Sequence, residues 1–171
     1  GFLLMGALFI VLPRTIVSAG RINEVLDLHS SITSPEQPKA AADSKGEVVF
    51  RDVSFRYSKN SEAVIEHVSF TAQAGDTVAF IGSTGSGKST LVNLIPRFYD
   101  VTEGEILVDG VNVQDYQLED LHNKVGYIPQ KAVLFSGDIE SNLNFGQSKE
   151  SPLDEQKMWE ALDLAQAKPF V

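Results

Sequence analysis

The chain has 171 residues, of which 43% are hydrophobic, and it carries a formal net charge of −9 at pH 7. This length is sufficient for one domain with a buried core, and the hydrophobic fraction excludes a disordered chain. Such an acidic surface repels nucleic-acid backbones, so we expect no nucleic-acid partner. Because cysteine is absent, disulfides and thiolate metal sites are excluded.

The first 28 residues change character along their length. Phe2–Leu12 contains eleven apolar or small residues and no charge, whereas a bilayer-spanning helix needs about 20. From Arg14 onward the apolar residues recur at helical spacing, and we expect Pro13 to kink or restart the helix. Two interpretations stay open: the end of a last transmembrane helix with its cytoplasmic extension (residues 1–28), or a buried amphipathic helix of a soluble domain.

A linker is predicted for residues 29–45. The segment is rich in Ser, Pro, Ala and charged residues and shows no periodicity. We place the boundary near Lys45, so that a folded domain occupies residues 46–171.

The domain begins with segments that are typical of β-strands. Val48–Tyr57 alternates between apolar and polar residues with one slip around Asp52, and Ala63–Ala72 is a second β-rich segment. Thr77–Gly82 is apolar on both faces, which predicts a central strand covered on both sides.

Helices and further strands alternate in the rest of the chain, and this pattern favours an α/β fold. A helix is predicted from about Lys88, with a kink or an end near Pro96. The other predicted elements are a strand closed by a turn at Gly104–Gly110, a short helix at 117–125, a strand at Val125–Gln130, and helices at 136–145 and 152–167, with Asp154 near the start of the last.

A glycine-rich loop carries the chemistry. Residues 82–89 fit the pattern G-x-x-x-x-G-K-[ST] at every specified position. Glycines let backbone N–H groups converge on an anion, a lysine reaches the β- and γ-phosphates, and the last hydroxyl can ligate Mg²⁺. The predicted phosphate-binding residues are Gly82, Ser83, Thr84, Gly85, Ser86, Gly87, Lys88 and Ser89. Thr90 has two open roles, a contact to the α-phosphate or a helix cap.

The loop predicts a nucleoside triphosphate site but does not choose a function. Kinases, GTPases, helicases and transport ATPases share this motif, and a fold does not determine a function.

The order of the motifs resembles that of ATP-binding cassette (ABC) exporters in which membrane and nucleotide-binding domains are fused. The resemblance covers essentially the whole chain and is most specific from Val53 to Gly146. It implies a P-loop NTPase nucleotide-binding domain with an antiparallel β subdomain, preceded by an N-terminal helix, with ATP and Mg²⁺ as ligands. The segments that carry it are VSAGRINEVLD, VSFRYS, the glycine loop, RFYDVTEGEILVDG and VGYIPQKAVLFSGDIESNLNFG.

Particular residues take roles from this resemblance. Tyr57 stands at the position that stacks on adenine, although packing at a strand edge is the alternative. Gln130 stands at the glutamine that ligates Mg²⁺ and positions the attacking water, although a solvated loop glutamine is the alternative. Together with Lys88 it makes up the implied catalytic pair. Leu134 and Phe135 correspond to a surface that meets the coupling helices, or else they pack in a core.

The resemblance also implies motifs that do not occur in these residues: a signature motif, a strand ending in Asp followed by a catalytic Glu, and a switch histidine. We therefore expect a fragment that by itself binds nucleotide weakly and does not turn over efficiently. The implied partners are a second nucleotide-binding domain and transmembrane domains, with the domain on the cytoplasmic side of the plasma membrane. A non-hydrolysing subunit of a heterodimeric transporter and a soluble P-loop kinase or repair ATPase remain alternatives.

Overall fold

The computed structural model describes residues 1–43, 45–146 and 154–171, and for residues 2–10 it describes the backbone alone. The chain divides into two units, residues 1–127 and 128–171. The first unit contains α1 (Phe2–Leu26), β1 (Val48–Phe55), β2 (Ile65–Ala72), α2 (Lys88–Leu94), β3 (Glu103–Val108), β4 (Val111–Asn112) and α3 (Leu118–Lys124). The second contains α4 (Ile139–Leu143), α5 (Glu155–Leu164) and a 3₁₀ turn (Lys168–Phe170).

Helix α1 runs without interruption through Pro13. The predicted restart at this residue is therefore wrong, although helix is found on both sides of the proline as expected. From Val11 to the end of α1 the side chains are exposed, including those of Ile16, Ile22 and Leu26. In the described part of the chain, no helix combines the length and the apolar character that crossing a membrane requires.

Four antiparallel strands form one sheet in the order β2-β1-β3-β4. The slip that the sequence shows around Asp52 is a β-bulge in β1: both of its ladders shift register here, and Asp52 has a φ of 49°. A bulge adds one residue to a strand and changes which face the following side chains occupy. Phe50 and Val53, three positions apart instead of two, therefore both reach the core.

The core joins this sheet to the helices that follow it. Leu91 and Leu94, one helical turn apart on α2, are buried in the same cluster as the β1 side chains. A helix of seven residues is too short to be stable alone, so packing must supply most of its stability. The buried cluster consists of Phe50, Val53, Phe55, Ile65, Leu91, Leu94, Ile106, Val108, Val113, Tyr116 and Leu121.

A tight hairpin closes β3 onto β4, as the sequence predicts. Its two central residues, Asp109 and Gly110, have φ values of 51° and 80°. A type I′ turn, whose twist matches that of the flanking strands, requires positive φ at both central positions. Asp-Gly is among the pairs that this turn prefers.

Asp109 also fixes the start of β1. Its Oδ1 accepts hydrogen bonds from the backbone N–H groups of Lys45, Gly46 and Glu47 at 2.9, 2.7 and 3.2 Å, and its Oδ2 accepts one from the Lys124 ammonium at 3.0 Å. Burial alone would raise the pKa of Asp109, but the hydrogen bonds from Lys124 and from this backbone outweigh it and hold the pKa below its ordinary value.

The segment predicted as a linker contains no helix or strand among its described residues, yet it lies against other parts of the first unit. The Thr33 carbonyl accepts a hydrogen bond from the buried Arg97 side chain at 3.1 Å, and the Ser34 hydroxyl accepts one from the backbone of Leu118 at 3.1 Å. Lys39 forms an ion pair of 2.8 Å with Asp115. The segment is therefore held at several points along its length.

Two of the predicted strands are wrong. Thr77–Gly82 belongs to no ladder among the described residues, and neither does Val125–Gln130. Phe80 contacts the ring of Phe70 at a centroid distance of 5.4 Å, but the next side chain, Ile81, is 96% exposed. A strand exists only where neighbouring backbones satisfy its N–H and C=O groups, and an apolar sequence does not provide these neighbours.

The remaining element predictions are confirmed. Helix α2 begins at Lys88 and ends just before Pro96, and α3, α4 and α5 fall within the predicted helical segments. Asp138 caps α4, since its Oδ1 accepts a hydrogen bond from the Ser141 N–H at 2.8 Å. Asp154 is the residue that precedes α5. Residues 152–153 of the predicted last helix lie outside the described residues.

We predict that Asp109→Asn lowers the free energy of unfolding at pH 7 by about 1–3 kcal/mol, because the backbone N–H groups of residues 45–47 and the Lys124 ammonium lose a charged acceptor. Asparagine tolerates the left-handed backbone, so the substitution tests the charge. Folding lowers the pKa of this carboxyl. The difference from the wild type is therefore complete above the unfolded pKa of about 4 and disappears as the pH falls through the lower folded pKa.

Urea unfolding followed by circular dichroism, from pH 7 downward, measures this effect. Asp115→Asn is the matched control, because its ion pair with Lys39 is exposed and such pairs contribute little. Equal losses in the two variants would contradict the role given to Asp109.

Candidate functional site

The glycine-rich loop lies at the start of α2 and against the first residues of β2. Gly87 precedes α2 with a φ of 84°, a backbone conformation that residues with a side chain rarely adopt. A Cβ atom at this position would lie 2.9 Å from the Val64 carbonyl oxygen and 3.2 Å from its Cγ1 atom. Glycine is therefore required both by the backbone and by the close approach of Val64, and this contact holds the loop beside the sheet.

The Lys88 ammonium lies across the concave side of this loop. It donates hydrogen bonds to the carbonyl oxygens of Gly82 and Ser83 at 2.9 and 2.7 Å, and to the Ser86 hydroxyl at 3.2 Å. All three acceptors are neutral, and no carboxylate in the described part of the chain forms an ion pair with Lys88. Its positive charge is thus held in place and remains available to an anion.

A cavity of about 360 Å³ runs beside the loop, and several of the predicted residues line it, but not Gly82, Ser83 or Thr84. The Ser89 side chain is exposed at the first turn of α2, next to Lys88. The structure thus brings together Tyr57 and the second half of the phosphate-binding motif. The lining residues are Tyr57, Val64, Gly85, Ser86, Gly87, Lys88, Ser89 and Thr90.

Tyr57 lines this cavity and is 54% exposed. Its hydroxyl shares a hydrogen bond of 2.9 Å with the Thr90 hydroxyl. Its ring stands perpendicular to those of Phe55 and Tyr99, at centroid distances of 4.9 and 5.2 Å and interplanar angles of 83° and 89°. Neither role predicted for Thr90 included this hydrogen bond, which joins Tyr57 to α2.

Gln130 lies in the second unit and is exposed. In the same unit Leu134 is 83% exposed, and Phe135 is half exposed and stacks on Phe145 at a centroid distance of 3.9 Å. Core packing, one of the two interpretations of Leu134 and Phe135, is therefore wrong within this unit. The role of Gln130 and the contact with coupling helices stay predictions.

The sequence did not indicate a role for two residues near the site. Val64 approaches Gly87 through its backbone, and a carbonyl position leaves no signal in a sequence. Tyr99 stands in the segment RFYD, which contributed to the family resemblance without suggesting a role. Its contact with Tyr57 depends on the turn after α2, which brings residues 42 positions apart together.

Comparison with protein families gives a clear match. The family model described as "ABC transporter" matches residues 65–170, which is more than half of the chain. The match includes the whole glycine-rich loop and Gln130.

Among similar proteins, an uncharacterized ABC transporter ATP-binding protein of Mycobacterium bovis is 46% identical over 94% of this chain and 28% of its own length. A probable multidrug resistance ABC transporter ATP-binding/permease protein of Bacillus subtilis is 41% identical over 91% of this chain and 22% of its own length. The solved structure of a bacterial Atm1-family ABC exporter with ATP bound superposes with a TM-score of 0.80 at 27% identity, covering 96% of this chain and 29% of the exporter chain. The chain thus spans less than a third of the length of these relatives.

The contact between Gly87 and Val64 predicts different effects of two alanine substitutions. Gly85 and Gly87 have nearly the same φ, 85° and 84°, but a Cβ atom at Gly85 would meet no atom within 4 Å. We expect Gly85→Ala to lower the free energy of unfolding by about 1–2 kcal/mol, the cost of the left-handed backbone. Gly87→Ala has the same cost and must in addition displace Val64, so its loss is larger. Urea unfolding of both variants measures the difference, and identical losses would show that the close approach does not constrain the loop.

Proposed function

Because this chain belongs to the ABC transporter family, we propose that it binds Mg-ATP at the loop of residues 82–89. We further propose that the full-length protein couples the binding and hydrolysis of ATP to the export of a substrate across a membrane. The multidrug resistance name of the Bacillus subtilis relative and the exporter structure support export.

The arrangement of Lys88 is the observation that carries the proposal. Its ammonium makes three hydrogen bonds, all to neutral oxygen atoms of the loop. A triphosphate that enters the cavity offers negatively charged oxygen atoms, and these attract the ammonium more strongly than the neutral loop oxygens do. Lys88 then exchanges loop carbonyls for phosphate oxygens, and the carbonyl-bound position keeps the lysine directed into the site beforehand.

Mg²⁺ fits the donors that the chain offers. Mg²⁺ prefers hard oxygen ligands and is commonly bound through one or two protein groups together with substrate phosphates. We assign the exposed Ser89 hydroxyl to this role, and the family resemblance alone gives the same role to the Gln130 amide oxygen. The ion would neutralise charge on the transferring phosphoryl group. An amide is a poor base, so Gln130 positions water and does not abstract its proton.

The rest of the proposal concerns the full-length protein. Its partners are a second nucleotide-binding domain and the transmembrane domains, whose coupling helices contact the exposed Leu134 and Phe135. Residues 1–28 form the end of the last transmembrane helix and its cytoplasmic extension, residues 29–45 a linker and residues 46–171 the first part of the nucleotide-binding domain. This domain lies on the cytoplasmic side of the plasma membrane. ATP bound between two such domains closes them, and hydrolysis reopens them.

Lys88→Ala tests the phosphate site. We expect the full-length variant to lose nucleotide binding while it keeps its fold, because the only substituted group is the one that neutralises the triphosphate. Calorimetric titration with Mg-ATP and circular dichroism measure the two properties. Lys39→Ala is the matched control, since this exposed lysine pairs with Asp115 away from the loop, and its affinity should equal that of the wild type. An unchanged affinity in Lys88→Ala would refute the proposed site.

Tyr57→Ala tests the proposed stacking of the Tyr57 ring on the adenine base. Loss of one aromatic stack weakens nucleotide binding by about 1–3 kcal/mol. The same titration measures this change. Unfolding of the variant would instead favour the alternative in which Tyr57 packs at the edge of the sheet.

A further inference from the structure

The aromatic residues beside the cavity form a group around Tyr57. Three rings, those of Phe55, Tyr57 and Tyr99, contact one another, with the third centroid distance, from Phe55 to Tyr99, at 5.6 Å. Phe55 is buried in the core of the sheet and thus gives the group a fixed base. Tyr57 and Tyr99 extend from it to the surface.

Perpendicular ring pairs have a preferred geometry. The positive edge of one ring meets the negative face of the other, and this arrangement stabilises a pair beyond the area that it buries. Tyr57 makes two such contacts, one with Phe55 at the end of β1 and one with Tyr99 from the turn after α2. The two contacts restrict the rotation of the Tyr57 ring about both of its side-chain torsions.

The outer end of the same ring is held as well. The hydrogen bond of 2.9 Å between the hydroxyls of Tyr57 and Thr90 joins it to the first turn of α2. Thr90 is buried and directly follows Lys88 and Ser89. The ring is thus fixed relative to the residues that the phosphate site uses, while the residue as a whole stays 54% exposed.

We propose that Tyr99 is a positioning residue for nucleotide binding, which holds the Tyr57 ring in the orientation that receives the base. This inference rests on the proposed nucleotide site and deepens it. Tyr99 itself does not need to touch the base. A side chain that is already ordered before binding loses less conformational freedom when the ligand arrives, and this raises the affinity.

The experiment compares two ligands on the full-length protein. Tyr99→Leu removes the ring, whereas Tyr99→Phe retains it. Titration with Mg-ATP should show about a two- to tenfold weaker affinity for Tyr99→Leu and a near wild-type affinity for Tyr99→Phe. Titration with magnesium tripolyphosphate, which has no base, should show no change in either variant.

Phe98→Leu is the matched control. Phe98 is the neighbouring residue and is 44% exposed, against 40% for Tyr99, but its ring packs on those of Tyr127 and His122. Its substitution should leave the affinity for both ligands unchanged. In a Tyr57→Ala background, Tyr99→Leu should have no further effect on ATP, because the residue acts through Tyr57.

Three results would overturn the inference: an equal loss of ATP and tripolyphosphate in Tyr99→Leu, an effect on ATP that persists without the Tyr57 ring, or unchanged ATP affinity. The first would show a general structural role, and the second a direct contact with the ligand. Failure of the proposed function is distinguishable, because Lys88→Ala would then bind both ligands as the wild type does.

Discussion

The burial of Leu91 and Leu94 is the interaction on which the site depends. Helix α2 has seven residues and cannot persist without tertiary contacts. Its two leucines lie in the core formed with β1 and β3, and this packing fixes the direction in which the helix begins. Because Lys88, Ser89 and Thr90 form its first turn, the hydrophobic core of the sheet also determines where the phosphate-binding groups are directed.

The loop and the aromatic group reach this helix from two sides. On one side, Gly87 approaches the backbone of Val64 and aligns the loop with the beginning of β2. On the other, Tyr57, two residues after the end of β1, is hydrogen-bonded to Thr90. Val64 directly precedes β2 and Tyr57 follows β1, so residues next to the ends of two sheet strands line the same cavity. In the proposed nucleotide site these two regions would receive the base and the phosphate chain, and a fixed separation between them favours a ligand in which both are covalently joined.

Most of the first unit follows from local patterns in the sequence. The alternation in β1, its interruption at Asp52, the Asp-Gly hairpin and the start of α2 after a glycine all depend on residues close together in the chain. The predictions for Thr77–Gly82 and Val125–Gln130 were wrong for the opposite reason. Their apolar character indicates a buried strand, but a strand depends on backbones beside it, and no pattern within the segment specifies these neighbours.

The sequence by itself determined the chemistry: the motif at residues 82–89 names the residues that could hold a triphosphate, because each residue type is required locally by the loop, the charge or the metal. Only the tertiary structure decided how these residues are held. The Tyr57–Thr90 hydrogen bond, the contact of Tyr99 with Tyr57 and the binding of Asp109 to the backbone before β1 join residues 33 to 64 positions apart. Such contacts arise from the packing of the whole core, and their distances depend on side-chain shapes that composition and spacing do not encode.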